Sequence, residues 1–240
     1  MSYPTAWHKA FLGGQSTLAV KALHEAWTAL ATSAPETFGP HAQEPALTEI
    51  LCEQLVANRM QDRLSGLWSY EVRQGRLVRS GKRVAVVDRK RTDIQYFTDS
   101  EQPALKLIFE FKRLDHQLSR RKKYTGEDGM MRFITGEYSV GEPVAVMVGI
   151  LTAHRDDCVP PLEIWLNSPD AKTELAIQPF GATQTRSPSE FFSSAVFDTE
   201  HLRPAGKGPG HGTIVISHLF LDFPGLARRA VKKRRAMAKS

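Results

Sequence analysis

Cysteine is scarce in this chain. Cys52 and Cys158 are the only two in 240 residues. They stand alone, without the CxxC spacing of a zinc site, and two thiols cannot supply a disulfide framework. Long apolar runs are also missing: none approaches the roughly 20 residues that a membrane helix needs. The start, MSYPTAWHKAFLGG, has no charged stretch leading into an apolar one, so no secretory leader is expected. The eight histidines form no HExxH or His-x-His pattern. The glycine-rich stretch 206–212, GKGPGHG, lacks the GxxxxGK[ST] order and reads as a loop, not a phosphate cradle. No internal repeat or long low-complexity segment is present. With 41% hydrophobic and 24% charged residues, a cytoplasmic globular protein with one sizeable core is expected.

Acid is absent from the end of the chain. The last fourteen residues, ARRAVKKRRAMAKS, hold seven Lys/Arg and no Asp or Glu. The net charge is +6, so without them the remainder stands at −1 (6 − 7). Lys232, Lys233, Arg234 and Arg235 form the densest part of this tail. Such a run suits a polyanion such as nucleic acid, and equally a solvated helix end. Further basic clusters lie between Arg73 and Arg91, and at Arg120, Arg121, Lys122 and Lys123.

The remaining pattern alternates between helical and strand periods. Residues 16–31 have apolar positions at helical spacing, with Ser16 as N-cap. The Pro/Gly/Ser/Thr-rich stretch 32–42 reads as a linker. A second helix starts after residue 43, with Pro45 in its first turn. Strands are expected near 67–73, 84–87, 92–97 and 105–112. A helix over 126–135 would take Thr125 as N-cap and Asp128 as its capping-box partner, with Gly136 ending it. Its Met130, Phe133 and Ile134 read as core, and Trp68 and Tyr70 as core aromatics of a strand. Residues 143–153 form an apolar run of buried-strand type. Further strands are expected at 162–166, 174–179 and 213–221, with His211 and His218 structural. This is an α/β (α+β) chain with a mixed central sheet flanked by helices. It divides into an N-terminal helical extension (1–42), a main domain (43–226) and a basic tail (227–240).

One pair of strands carries acids where apolar residues are usual. In LKLIFEFK, Leu105, Leu107, Phe109 and Phe111 share one face. Lys106, Ile108, Glu110 and Lys112 share the other. If residues 99–104 form the turn, Asp93 falls directly opposite Glu110, with side chains roughly 5 Å apart. Two carboxylates that close repel unless a positive charge sits with them. Lys112 supplies one charge, and a divalent cation such as Mg²⁺ (or Mn²⁺) explains the pair better than lysine alone. Lys112 could then orient or deprotonate an attacking water. A salt-bridged surface hairpin is the plain alternative.

Thr92-Asp93 and Glu110-Phe111-Lys112 resemble the motif of the PD-(D/E)XK nuclease superfamily. Thr92 stands where that family usually has proline. The helix-strand order over 43–153 is similar to its α-β-β-β-α-β core, which makes a restriction-endonuclease-like fold the expectation. The resemblance covers somewhat under half the chain. It implies Mg²⁺-dependent phosphodiester cleavage, with Asp93 and Glu110 as metal ligands and Lys112 as catalytic lysine. It also implies an antiphage or restriction setting. Such enzymes often add a glutamate from the first core helix. Leu47, Ile50, Leu51 and Leu55 define that helix's buried stripe, and Glu44 lies on it, whereas Glu49 and Glu53 point away. Glu44 is therefore the third acid, or else a helix-start acid complementing the dipole. Arg120, Arg121, Lys122, Lys123 and Arg132 are candidate phosphate contacts, and Arg132 alternatively a solvated arginine. The expected partner is DNA, with RNA left open, and with either a homodimer or a partner protein docked on the 16–31 helix. A non-catalytic nucleic-acid-binding or scaffold subunit that keeps the fold is the competing function.

Overall fold

The computed structural model describes residues 14–80, 83–100, 104–208, 210 and 212–227. Lys232, Lys233, Arg234, Arg235 and His211 lie outside the described residues. Two helices come first: α1 (Gln15–Ser33) and α2 (Glu44–Asn58). The α1 helix starts at Gly14, and Ser16 is buried inside the first turn rather than capping it. Gln15 does the tying instead, accepting from Ser65 N at 2.8 Å and from the Tyr96 hydroxyl at 2.7 Å. The connection from α1 to α2 is anchored by Phe38, which is fully buried between Trp27 and Phe223. On α2, Leu47, Thr48, Leu51, Cys52 and Leu55 are buried, and Ile50 is exposed. The stripe is thus rotated from the expected one, toward Thr48 and Cys52.

The strands that follow are β1 (Leu67–Tyr70), β2 (Arg73–Ser80), β3 (Arg83–Arg91), β4 (Ile94–Thr98) and β5 (Leu105–Leu114). Next come α3 (Leu118–Thr125), α4 (Met130–Ile134), β6 (Val144–Leu151), α5 (Arg155–Leu166) and α6 (Pro169–Glu174). The chain ends with β7 (Ile177–Gln178), β8 (Thr185–Arg186), β9 (Phe197–Leu202) and β10 (Thr213–Leu221). An eight-stranded mixed sheet runs β1-β4-β5-β6-β10-β9-β7, with β8 also on β9. Strands β5, β6 and β10 pair in parallel, and the remaining pairs of this sheet are antiparallel. The β2–β3 ribbon pairs only with itself among the described residues.

Several elements differ from expectation: β2, α3, α6, β8 and β9 fall where the pattern predicts none, and the strand expected at 174–179 shrinks to Ile177–Gln178 behind α6. Residues 126–135 are not one helix: Thr125 closes α3, its hydroxyl donating to Arg121 O, and α4 begins only at Met130. An added Cβ on Gly129 would lie 2.1 Å from Tyr124 O. That close approach turns the chain between the two helices. Gly136, at φ +72°, follows α4 as expected. Residues 162–166 belong to helix α5, not a strand; Pro160 and Pro161 sit inside it, where they read as breakers in isolation. Its start is set by His154, whose Nδ1 accepts from Asp156 N.

Both faces of the sheet are covered. Leu105, Leu107, Phe109 and Phe111 pack with α1 and α2 on one side. Ile108, Leu114, Met147 and Ile216 pack with Tyr124, Met130, Phe133, Ile134 and α5 on the other. Central strands covered twice read as apolar runs, and all eight residues of β6 are buried.

A polar chain threads the second core. His201 Nδ1 meets the Leu175 carbonyl at 2.8 Å, and a carbonyl only accepts, so this nitrogen carries the proton. His201 Nε2 therefore accepts from Thr199 Oγ1 (2.7 Å). His218 Nε2 must then donate to Thr199 Oγ1 (2.9 Å), and Tyr124 donates to His218 Nδ1 (2.9 Å). Burial lowers both imidazoles, His201 to about 4 and His218 well below the ordinary value. Both are neutral and structural.

Candidate active site

The site forms where β4 leaves β5. The ladder pairs Ile94 with Phe109 and Gln95 with Ile108, the register expected from the turn. Strand β4 begins at Ile94, so the β5 backbone beyond Phe109 loses its neighbour on that side. Buried backbone N–H groups need acceptors. The Asp93 carboxylate Oδ2 accepts from Phe111 N at 2.8 Å, and Glu44 Oε2, from the first turn of α2, accepts from Arg113 N at 2.9 Å. Two acids are therefore held by strand geometry rather than by chance surface pairing. Arg113 fixes the approach to α2 from the other direction, donating to Ala42 O at 2.8 Å and to Pro40 O.

Lys112 sits among three carboxylates. Its Nζ lies 2.8 Å from Glu110 Oε1, 3.4 Å from Glu44 Oε1 and 4.0 Å from Asp93 Oδ2. It also donates to Phe111 O at 2.6 Å. Glu110 is fully buried, and its Oε2 has no hydrogen-bond partner. Arg132, from α4, joins the cluster through Nη1, 3.0 Å from Glu110 Oε1 and 2.7 Å from the Tyr138 hydroxyl. Tyr138 donates in turn to Arg91 O. The formal balance is three carboxylates against two cations.

Burial dominates the electrostatics. Desolvation, with Asp93 adding repulsion, pushes Glu110 up to about 8 despite Lys112 and Arg132. Asp93 is raised for the same first reason. Desolvation alone would lower Lys112, but Glu110, Asp93 and Glu44 together outweigh it and hold the ammonium above its ordinary value. Carboxyls pushed up by lost water, beside an orphaned oxygen, mark a place that an added cation would stabilise. The donors fit a hard divalent ion: Asp93, Glu110 and the Phe111 carbonyl are all oxygens. Among the described residues, no group of three or more His, Cys, Asp or Glu side chains closes around one point. The Lys112 ammonium stands between them.

The residues singled out from sequence divide clearly. Glu44, Asp93, Glu110, Lys112 and Arg132 come together, while Glu49 and Glu53 are exposed on the far side of α2. Arg120 pairs with Asp115 at 3.8 Å, and Arg121 lies over the Trp165 ring at 5.5 Å. Lys122 and Lys123 are exposed on α3. None of these four lines the open cleft above Lys112. Tyr70, Glu71, Arg91 and Tyr138 do line it. Sequence reading missed them as site residues. Glu71 and Arg91 could have been found, since both adjoin the strand ends that deliver Asp93. Tyr138 lies in a loop with no periodic signal. No helix among the described residues is long and apolar enough to cross a membrane. Comparison with protein-family models, curated proteins and solved structures finds no match, so function here rests on this site alone.

Proposed function

We propose that this protein is a divalent-metal-dependent DNA endonuclease that hydrolyses phosphodiester bonds. The observation that carries the reading is the convergence of Glu44, Asp93 and Glu110, from three separate elements, on Lys112, with one Glu110 oxygen buried and unpartnered. The element order supports it. With the β2–β3 ribbon set aside, the chain runs α2, β1, β4, β5, helix, β6. With α3 and α4 counted as one, this order is similar to the α-β-β-β-α-β core of the restriction-endonuclease-like superfamily that Thr92-Asp93 and Glu110-Phe111-Lys112 resemble. An antiphage or restriction role is what this resemblance adds.

Asp93 and Glu110 would hold Mg²⁺ or Mn²⁺, which supplies charge neutralisation and polarises the scissile phosphate. Lys112, held protonated by its neighbours, donates a hydrogen bond to the attacking water or a phosphate oxygen; in that state it takes no proton. Glu44 positions Lys112 from the α2 side. Arg132 can turn one donor from Glu110 to a phosphate oxygen, since its planar fork suits that geometry.

Nicking of supercoiled plasmid with Mg²⁺, with Mn²⁺ and with EDTA tests the reading. Relaxation by the wild type, lost in EDTA and in Lys112→Ala, is expected. DNA binding without relaxation in either metal would favour the second reading, a non-catalytic module. The Lys112 ammonium filling the acid cluster is the observation on that side.

A further inference from the structure

The β2–β3 ribbon is unexplained by the site chemistry. Its strands have eight and nine residues, about 25–30 Å of extended chain. It has no third strand among the described residues, and an isolated hairpin is marginal in water. Its composition is one-sided: residues 73–91 carry eight Lys/Arg and a single acid, Asp88. Like charges directly opposed across a ladder are unfavourable, yet Arg73 pairs with Arg91. A long, basic, self-paired ribbon makes poor sense as scaffold and good sense as a contact for a polyanion.

The register gives that contact a shape. The irregularity in the ladder places its extra residue on β3, between Val87 and Lys90, so alternation along β2 is intact. Positions 73 and 79 therefore share one face, together with Arg91 opposite 73. Arg73, Arg79 and Arg91 are all exposed. The six residues from 73 to 79 span about 20 Å. The base of the ribbon is tied into the site: Glu71 N donates to Asp93 O at 2.9 Å, Thr92 N to Val72 O at 3.1 Å, and Arg91 pairs with Glu71 at 2.8 Å on the cleft wall.

We propose that the β2–β3 ribbon is an arm that grips duplex DNA, with Arg73, Arg79 and Arg91 on phosphates of the backbone and the ribbon along the major groove. The B-form major groove, about 12 Å wide, admits a two-stranded ribbon, whereas the A-form groove of duplex RNA is too narrow. Neutralised phosphates release counterions, so the grip is salt-dependent. Because the base of the arm holds the Asp93 backbone, a duplex seated on the arm brings its strand to the cleft. The arm's role in cleavage rests on the nuclease reading; its role in binding does not.

The test uses the full chain with Arg73→Glu and Arg79→Glu combined, and Arg73→Lys with Arg79→Lys as the charge-keeping control. Anisotropy in EDTA reads affinity for a labelled duplex of about 25 base pairs, for one strand of it, and for duplex RNA. Circular dichroism and Tm check that each variant folds. The glutamate variant should lose ~10-fold or more in duplex DNA affinity at low salt. The slope of log K against log salt should flatten by about 2, near 0.9 per phosphate contact. The lysine control should stay near wild type, and single-strand binding should change much less. Unchanged duplex affinity, equal losses on single strands, or tighter binding of duplex RNA overturns the arm. Nicking by the wild type alongside unchanged variant affinity removes the arm and keeps the nuclease. Lost affinity with no nicking by the wild type does the reverse.

Discussion

Two of the buried polar clusters among the described residues obey opposite rules. In the Tyr124–His218–Thr199–His201 chain every donor meets an acceptor, every ring is neutral, and the last proton ends on the Leu175 carbonyl. Around Lys112 three acids face two cations, and Glu110 Oε2 has nothing to bind. A closed network stabilises a fold. An open one spends stability on something the folded chain alone does not contain. Burial of polar groups is common to both, so burial does not set the proposed site apart; the unbalanced charge around Lys112 does.

The sharpest way to break this contrast is to remove an acid from the open cluster. Asp93→Ala should abolish Mg²⁺-dependent nicking while DNA binding persists, since losing an anion does not weaken attraction to phosphate. Lys112→Ala should cost on the order of 10²–10³-fold in rate. Residual nicking at the wild-type rate in Asp93→Ala would remove it from the site. Glu44→Gln should cost less, roughly 10–100-fold, because Glu44 acts through Lys112.

The closed cluster should answer only in stability. His218→Ala takes the partner from the Tyr124 hydroxyl, at about 1–3 kcal/mol, while Thr199 still donates to His201. Melting should fall by roughly 5 °C or more. Nicking per folded molecule should hold at temperatures where the variant is intact. A selective loss of activity would show that the chain is not merely structural.

pH separates the clusters by sign. The histidines have lowered folded values, so the unfolded chain binds the extra protons, and stability falls as pH drops from about 6.5 toward 4. Glu110 is raised to about 8, so the folded state binds the extra proton, and stability falls as pH climbs from its ordinary range toward 8. Metal-free protein should therefore lose Tm between pH 6.5 and 8, and Glu110→Gln should flatten that decline by a few degrees. A decline of unchanged steepness in Glu110→Gln would assign it to another group. The smallest effect on chemistry belongs to the basic tail. Deleting 227–240 should weaken binding at low salt and flatten the salt slope, with turnover at saturating DNA unchanged.

How much was legible beforehand follows the same division. The Asp93–Glu110 register and the four-residue core face of β5 follow from period-two alternation and a turn between two strands, both local. Glu44 on the inner side of α2 follows from helical spacing even though Ile50 did not stay buried. Helix α5 reads as a strand over 162–166 because Pro160 and Pro161 break helices in isolation, while packing of Cys158, Val159 and Leu162 in the core sustains this one. Tyr138 and the ordered pairing of Tyr124 with His218 depend on residues dozens of positions apart, and no local pattern encodes that meeting. The tie of Arg113 to the Pro40 and Ala42 carbonyls was invisible for the same reason.

The ribbon and the sheet share one register. Tyr70 opposes Ile94, and three residues on Arg73 opposes Arg91, three residues back. Strands β1 to β4 thus behave as one hairpin bent near Glu71, whose φ is +51°. Insertions and deletions should follow a parity rule. Residues removed in facing pairs from the outer ribbon shorten the arm and leave Asp93 where it is. A single residue removed from one strand turns the side chains beyond it to the other face, unless a bulge takes up the odd residue, as it does on β3 between Val87 and Lys90. Asp93 keeps its place through the β4–β5 ladder, so what an odd change redirects is the arm's basic face.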